Sequence, residues 1–220
     1  MSARFDPSLL PPAPDLSFEQ ALWAAGLRGV AGIDEAGRGP LAGPVAAAVV
    51  VFPPDAGLTV GLAGVRDSKQ MTPYQRQAAC PRIQAAALGF AVGFAEAAEI
   101  DTLGILPATR LAAWRALQAL PFTPDHLLLD ALFLPDVDLP QTALIKGDRR
   151  SLSIAAASVL AKTARDARLE ALEQEYPGYG FARHKGYGTA AHRAALQQLG
   201  PCPQHRRSFH LKNLTGITRL

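Results

Sequence analysis

The chain has 220 residues, 49% of them hydrophobic and 19% charged, with a mean hydropathy of +0.08 and a formal net charge of +3. At roughly 150 residues per domain this allows one large domain, or one domain with an appendage; it supplies ample material for a core and excludes global disorder. The longest unbroken apolar run, Val45 to Phe52, is far short of the roughly 20 residues that span a bilayer, and no basic-then-apolar leader opens the chain, so a cytoplasmic protein with no membrane partner is expected.

Residues 1–16 carry Pro7, Pro11, Pro12 and Pro14 without periodicity and read as a flexible extension outside the fold. Phe18 to Leu27 has a short helical pattern. From Gly29 an apolar strand runs to the acids Asp34 and Glu35, and after the glycine- and proline-punctuated segment Gly37 to Pro44 a buried strand covers Val45 to Phe52, pairing with the first like a hairpin. Thr72-Pro73 is an N-cap followed by a first-turn proline, which predicts a helix to Leu88 that Pro81 kinks or breaks. Phe90 to Glu96 is a third strand, and Ile100 to Leu120 a helix that Pro107 divides. His126 to Leu129 and Thr142 to Ile145 are two further short strands around a proline-rich loop. A long helix follows from Ser151 to about Tyr176, and another from Thr189 to Leu199, stopped by Gly200-Pro201. The pattern is α/β or α+β.

Charge is distributed unevenly. Residues 146–220 hold 13 of the 22 Lys and Arg but only 5 of the 19 Asp and Glu, together with His184, His192, His205 and His210. A basic last third suits a surface that meets phosphates. Asp34, Glu35, Asp130 and Asp148 each end an apolar run, where a carboxylate is otherwise out of place. Acids converging from neighbouring strand ends repel one another, and a divalent cation relieves that most simply. Oxygen ligands without matched His or Cys point to Mg²⁺ or Mn²⁺; Cys80 and Cys202 alone exclude a four-cysteine zinc site or a disulfide framework and are expected as reduced thiols. Gly37-Arg38-Gly39 lets backbone approach a ligand closely while the guanidinium reaches a phosphate. Its spacing fits neither nucleotide-loop fingerprint.

Five anchors stand in order: Gly32-Ile33-Asp34-Glu35-Ala36-Gly37-Arg38-Gly39-Pro40; Asp67-Ser68-Lys69; Lys146-Gly147-Asp148 leading into Ser153-Ile154-Ala155-Ala156-Ala157-Ser158, Ala161-Lys162 and Arg165-Asp166; His184-Lys185-Gly186-Tyr187; and His205-Arg206-Arg207-Ser208-Phe209. Over about Gly29 to Phe209 the chain resembles ribonuclease HII of the type 2 RNase H family. The resemblance implies an α/β, RNase H-like fold with a mixed five-stranded sheet flanked by helices. The catalytic domain would span 17–220, including a basic helical C-terminal part from about 176. It implies that Asp34, Glu35, Asp130 and Asp148 are catalytic and hold two Mg²⁺ or Mn²⁺ ions, that Gly37, Arg38 and Gly39 read a ribose 2′-hydroxyl, and that Tyr187 stacks at an RNA–DNA junction.

The implied activity is endonucleolytic cleavage of RNA hybridised to DNA and nicking 5′ of single embedded ribonucleotides. Products would carry 5′-phosphate and 3′-hydroxyl, and the implied roles are DNA repair by ribonucleotide excision and primer removal in DNA replication. Lys69, Lys146, Lys162, Arg206 and Arg207 are the expected phosphate contacts, and Ser158, one helical turn before Lys162 on the same face, is expected to bind substrate with them. Asp166, four residues after Lys162, reads as a structural ion pair. A monomer is expected. The chain departs from the family pattern at Gln70, where a second lysine is usual, and at Ala131, where a glycine is. A silent hybrid-binding module would lack one of the acids, and all four are present.

Overall fold

The computed structural model describes residues 5–6 and 10–209. Pro7 and the last stretch of the basic C-terminal part, His210 included, lie outside the described residues. Five strands form one mixed sheet in the order β3-β2-β1-β4-β5. β1 (Val30–Ala36) and β2 (Val45–Val51) pair antiparallel, as does β3 (Gly89–Ala95) with β2, whereas β4 (His126–Asp130) and β5 (Gln141–Leu144) extend the other side in parallel. β2 is buried throughout. Its side chains alternate between two cores, Ala48 and Val50 on one face, Val45, Ala47, Val49 and Val51 on the other. Burying each valine contributes about 1.5–3 kcal/mol, so a strand apolar on both sides belongs in the middle of the sheet.

Helices cover both faces. On one lie α1 (Ser17–Ala24), α3 (Pro73–Ala86) and the long α6 (Leu152–Glu175); on the other lie α4 (Ala97–Leu103) and α5 (Ile105–Gln118). The seats are made of small residues. Ala155, Ala156, Ala157 and Ala161 of α6 are fully buried, and a Cβ at Gly32 would strike the backbone of Ser153. α6 starts at Ser151, whose hydroxyl accepts from Ile154 N at 3.3 Å. Glu19 of α1 anchors that start: its Oε1 accepts from the Ser151 and Ser153 hydroxyls, each at 2.6 Å, and from Ser153 N at 2.9 Å. An acid at a helix N-terminus also opposes the helix dipole. A third core, with Leu41, Leu169, Phe181 and Leu196, holds α7 (Phe181–His184) and α8 (Ala190–Leu199) against the end of α6.

Several boundaries differ from those the sequence predicts. The 100–120 helix is two helices, and the break is Gly104 at φ 83°, not Pro107, which sits in the first turn of α5 where a missing N–H costs nothing. α3 runs on through Pro81, with Pro81 and Gln77 both at the surface, where water can satisfy the carbonyl left free. The short α2 (Leu58–Gly61) and α7 carry too little periodicity to be predicted. The extension does not stay outside the fold up to residue 16. Leu16 is 1% exposed, and Asp15 bridges Ser151, its N–H on the Arg150 carbonyl at 3.2 Å and its carbonyl taking Leu152 N at 2.8 Å. Cys80 and Cys202 are both free thiols. Among the described residues no helix is long and apolar enough to cross a membrane.

Candidate active site

β1 and β4 run parallel with Ile33 opposite Leu129, so the next residues, Asp34 and Asp130, stand side by side where β4 ends and its pairing with β1 stops. Asp148 joins them from the 3-10 turn Gly147–Arg149 that follows β5. One carboxylate oxygen from each of the three lies within 4.8 Å of the others. The backbone holds the group in place: Glu35 N donates to Asp34 Oδ1 and Gly147 N to Asp130 Oδ1, both at 2.7 Å. Gly147 is needed for that approach, since a Cβ there would sit 2.7 Å from Ile154 and 3.3 Å from the Asp130 backbone.

Burial and mutual repulsion push these acids up. Asp34 is raised well above the usual carboxylate range, first by burial and then by Glu35, Asp130 and Asp148. Asp148 is raised to about 7, by burial, then by Asp130 and Asp67. Burial raises Asp130 against the opposing Gly147 N–H, and raises Glu35 against Arg38. Partial burial works to lower Lys69, but Asp34, Asp67, Asp148 and Asp130 outweigh it and raise it. Like-charged groups this close ionise together only if a cation offsets them.

The donor set fits a hard divalent cation, being carboxylate oxygen throughout. Glu35 is not in the three-oxygen group. Its Oε1 accepts from Arg38 Nη1 at 3.2 Å, while Oε2 is buried without a hydrogen-bond partner among the described residues, a spare ligand atom beside Asp34. The sequence-based set of four therefore divides into three converging acids and one neighbour with an unused oxygen. Asp67, which sequence reasoning placed in a motif without giving it a role, is a fifth acid here. It is 8% exposed, caps Lys69 N at 2.9 Å and helps to raise Asp148.

The Gly37–Gly39 loop leaves β1 beside these acids. Gly37 has φ 94°, and a Cβ there would run into the Arg165 guanidinium, so only glycine fits. Gly39 is different. It is exposed, a Cβ would meet nothing within 4 Å, and no fold requirement for glycine is visible there. Arg38 is exposed apart from its pairing with Glu35.

Several expected substrate contacts turn inward, and these are corrections. Arg206 is 0% exposed; its guanidinium donates to the carbonyls of Gly37 at 2.6 Å, Arg38 at 2.9 Å and Gly43 at 2.9 Å, so it holds the loop and cannot meet a phosphate. Arg165, to which the sequence assigns no substrate contact, is equally buried and bonds the carbonyls of Ala42, Pro44 and Lys185. Burying a guanidinium costs several kcal/mol, and three charge-assisted bonds at about 1.5–3 kcal/mol each are enough to offset it. Ser158 is 1% exposed, its hydroxyl accepting from Ser68 N at 3.0 Å, so it positions the Asp67–Lys69 turn. Lys162 is committed to Asp166 at 2.6 Å, and Asp166 also pairs with Arg76 at 3.4 Å, which makes it the structural ion pair the sequence suggests, though a largely buried one.

The remaining contacts face outward. Lys69 is exposed with Nζ 3.8 Å from Asp148 Oδ2; Lys146 is exposed, in a left-handed conformation beside the Phe5 ring; Arg207 is exposed, its N–H held by Asp101. Tyr187 is 46% exposed in the turn between α7 and α8. Leu41 N bonds the Gly186 carbonyl at 2.8 Å, which ties this turn to the glycine loop.

Acids that converge where two parallel strands of a mixed sheet stop pairing define an α/β protein built around a centre for a hard divalent cation. The comparisons name the class. The family model described as Ribonuclease HII matches residues 31–212. Relatives named Ribonuclease HII include that of Chloroflexus aurantiacus, 56% identical over 197 residues (89% of this chain, 93% of the relative), and that of Geobacillus kaustophilus, 53% identical over 194 residues (88% and 73%). Among solved structures, ribonuclease H2 from Pyrococcus horikoshii OT3 superposes with TM-score 0.69 at 28% identity, covering 85% of this chain and 97% of that one. Bst-RNase HIII, solved in complex with Mn²⁺, shares the fold at TM-score 0.66 and 20% identity, covering 91% and 74%. The chain belongs to the ribonuclease HII family. It is a ribonuclease H hydrolase, an endoribonuclease of RNA–DNA hybrids.

Proposed function

We propose that this enzyme nicks duplex DNA on the 5′ side of a single embedded ribonucleotide, leaving 5′-phosphate and 3′-hydroxyl ends, besides cutting longer hybrids. The observation that carries this reading is the convergence of Asp34, Asp130 and Asp148 beside a glycine, Gly39, whose open surroundings give the fold no reason to require it. Asp34, Asp130 and Asp148, with Glu35 Oε2, would hold Mg²⁺ or Mn²⁺, a pair of which supplies water activation and charge neutralisation at the scissile phosphate. The chain's own residues do the rest. Lys69, next to Asp148, binds the phosphate being cut, and Arg38 and Arg207 bind its neighbours without reading sequence. Backbone at Gly37–Gly39, free of side chains at its outer end, comes close enough to bond the 2′-hydroxyl, the one group that marks a ribonucleotide. Tyr187 packs on the next sugar and disfavours a second 2′-hydroxyl there. Ribonucleotide excision and primer removal are the cellular roles that such a reaction serves.

The test is an end-labelled duplex with one ribonucleotide, run beside all-DNA and continuous-hybrid controls in Mg²⁺, Mn²⁺ or EDTA, with products mapped to the nucleotide. A metal-dependent nick 5′ of the lone ribonucleotide is expected. Cleavage of continuous hybrids alone would remove the roles given to the loop and Tyr187, and equal cleavage in EDTA would remove the metal.

A further inference from the structure

Two buried imidazoles lie behind Tyr187. His192 and His205, 0% and 1% exposed, face each other Nε2 to Nε2 at 3.0 Å. His192 Nδ1 is 2.9 Å from the Tyr187 carbonyl, and a carbonyl only accepts, so His192 carries its proton on Nδ1. Neutral His192 then offers a lone pair at Nε2, which only a protonated Nε2 on His205 can meet. That leaves His205 Nδ1 as an acceptor: the Cys202 N–H lies 3.0 Å from it and the Cys202 thiol 3.2 Å, both able to donate and both nearer than the Cys202 carbonyl at 3.3 Å. The Tyr187 carbonyl thus sets the order of the bonds: His192 donates to it, His205 donates to His192, and the free nitrogen of His205 faces Cys202. A second proton on His192 would set two N–H groups face to face across the pair, and burial holds both imidazoles down to about 4. The rings are walled by Phe181 and by His184, which stacks on His192 with centroids 4.3 Å apart.

The other end of this chain of bonds reaches the glycine loop. His205 forms a β-bridge with Ala42, and the next residue, Arg206, holds the Gly37 and Arg38 carbonyls. The imidazole pair therefore joins the segment that grips the loop to the turn that presents Tyr187.

We propose that the His192–His205 pair is a positioning element that fixes Tyr187 against the Gly37–Gly39 loop, and so sets how strongly the enzyme prefers a ribonucleotide followed by deoxyribonucleotides over continuous RNA. This rests on the role given to Tyr187 above. The pair touches no substrate; it acts through the Tyr187 carbonyl.

The experiment compares kcat/KM on a single-ribonucleotide duplex with kcat/KM on a continuous hybrid, for wild type, Tyr187→Ala, His205→Gln and His205→Asn, each checked for an intact melting transition. A glutamine amide reaches the Nε2 position and still donates to His192; an asparagine amide does not. His205→Asn should lower the ratio of the two rates about tenfold, and His205→Gln should keep it within about twofold of wild type. A ratio that collapses in Tyr187→Ala but is unchanged in folded His205→Asn overturns the proposal and leaves the role of Tyr187 standing. An unchanged ratio in Tyr187→Ala overturns both. Equal losses in the two His205 variants also overturn it, since packing alone would explain them. Nitrogen-15 correlation spectra of the wild-type protein supply a test that needs no variant: His192 protonated at Nδ1 and His205 at Nε2 are expected, and the reverse tautomers sink the proposal.

Discussion

The fold buries charge in two ways. At the ends of β1 and β4 it gathers acids of one sign, gives them few donors and raises their proton affinity. At the base of the glycine loop it buries two arginines and gives each three carbonyls. Both arrangements are costly to desolvate, but only the second is satisfied from within the chain. A buried charge with all its partners is framework; buried like charges without them are a place kept for something that arrives from outside.

The sharpest break of this contrast is Asp130→Asn. Cleavage should fall to near background while the protein stays folded and still binds duplex, as read by product formation and by gel retardation; normal turnover would strip the acids of their role. Next is Arg206→Ala. Unfolding in urea should show a loss of about 3 kcal/mol or more, because three carbonyls are left without a donor, and Arg206→Lys should recover only part, lacking the planar fork. The two loop glycines separate the categories within three residues. Gly37→Ala should cost more than about 1 kcal/mol of stability from its positive φ alone, whereas Gly39→Ala should stay within about 0.5 kcal/mol and yet slow cleavage of a lone ribonucleotide. Equal kinetics for Gly39→Ala and wild type would count against close approach of a ribose.

A further test is the pH dependence of the metal-free protein. An Asp148 carboxyl in the unfolded chain titrates near 3.8 and in the folded one at about 7, so between those values the folded state binds more protons. The Asp148 contribution to stability should therefore fall as pH rises through that window, while His192 and His205, held near 4, contribute the opposite slope below about 6.5. Melting in EDTA from pH 4 to 8, read as the difference between wild type and Asp148→Asn, would show the fall, and Mg²⁺ at pH 8 should raise the melting temperature. A difference that grows in favour of wild type as pH rises would contradict the crowding of these acids.

Much of this was legible in the sequence for a plain reason. Strand alternation, capping residues and acids at the ends of apolar runs are local signals, and they located β1, β2, β4, α6 and the carboxylates that come together. What escaped depends on distant partners. Arg206 sits in a basic tract that reads as surface, and what turns it inward is three carbonyls between 163 and 169 residues earlier. Ser158 and Lys162 do share a helix face as their spacing requires, but spacing does not say what that face meets, and it meets the Ser68 turn and Asp166. Asp15 and Leu16 look like the tail of a proline-rich leader until Ser151 is brought beside them. A positive φ at Gly104 divided a helix that proline was expected to divide.

The reach of Arg206 bears on how the molecule is made. During synthesis the acids of β1, β4 and the Asp148 turn can come together once residue 148 has emerged, whereas the carbonyls of Gly37 and Arg38 wait for a side chain 168 or more residues downstream. A chain interrupted between those points would own the carboxylates without the clamp on the loop beside them, so the order of translation makes the frame around that loop the last part of the site to close.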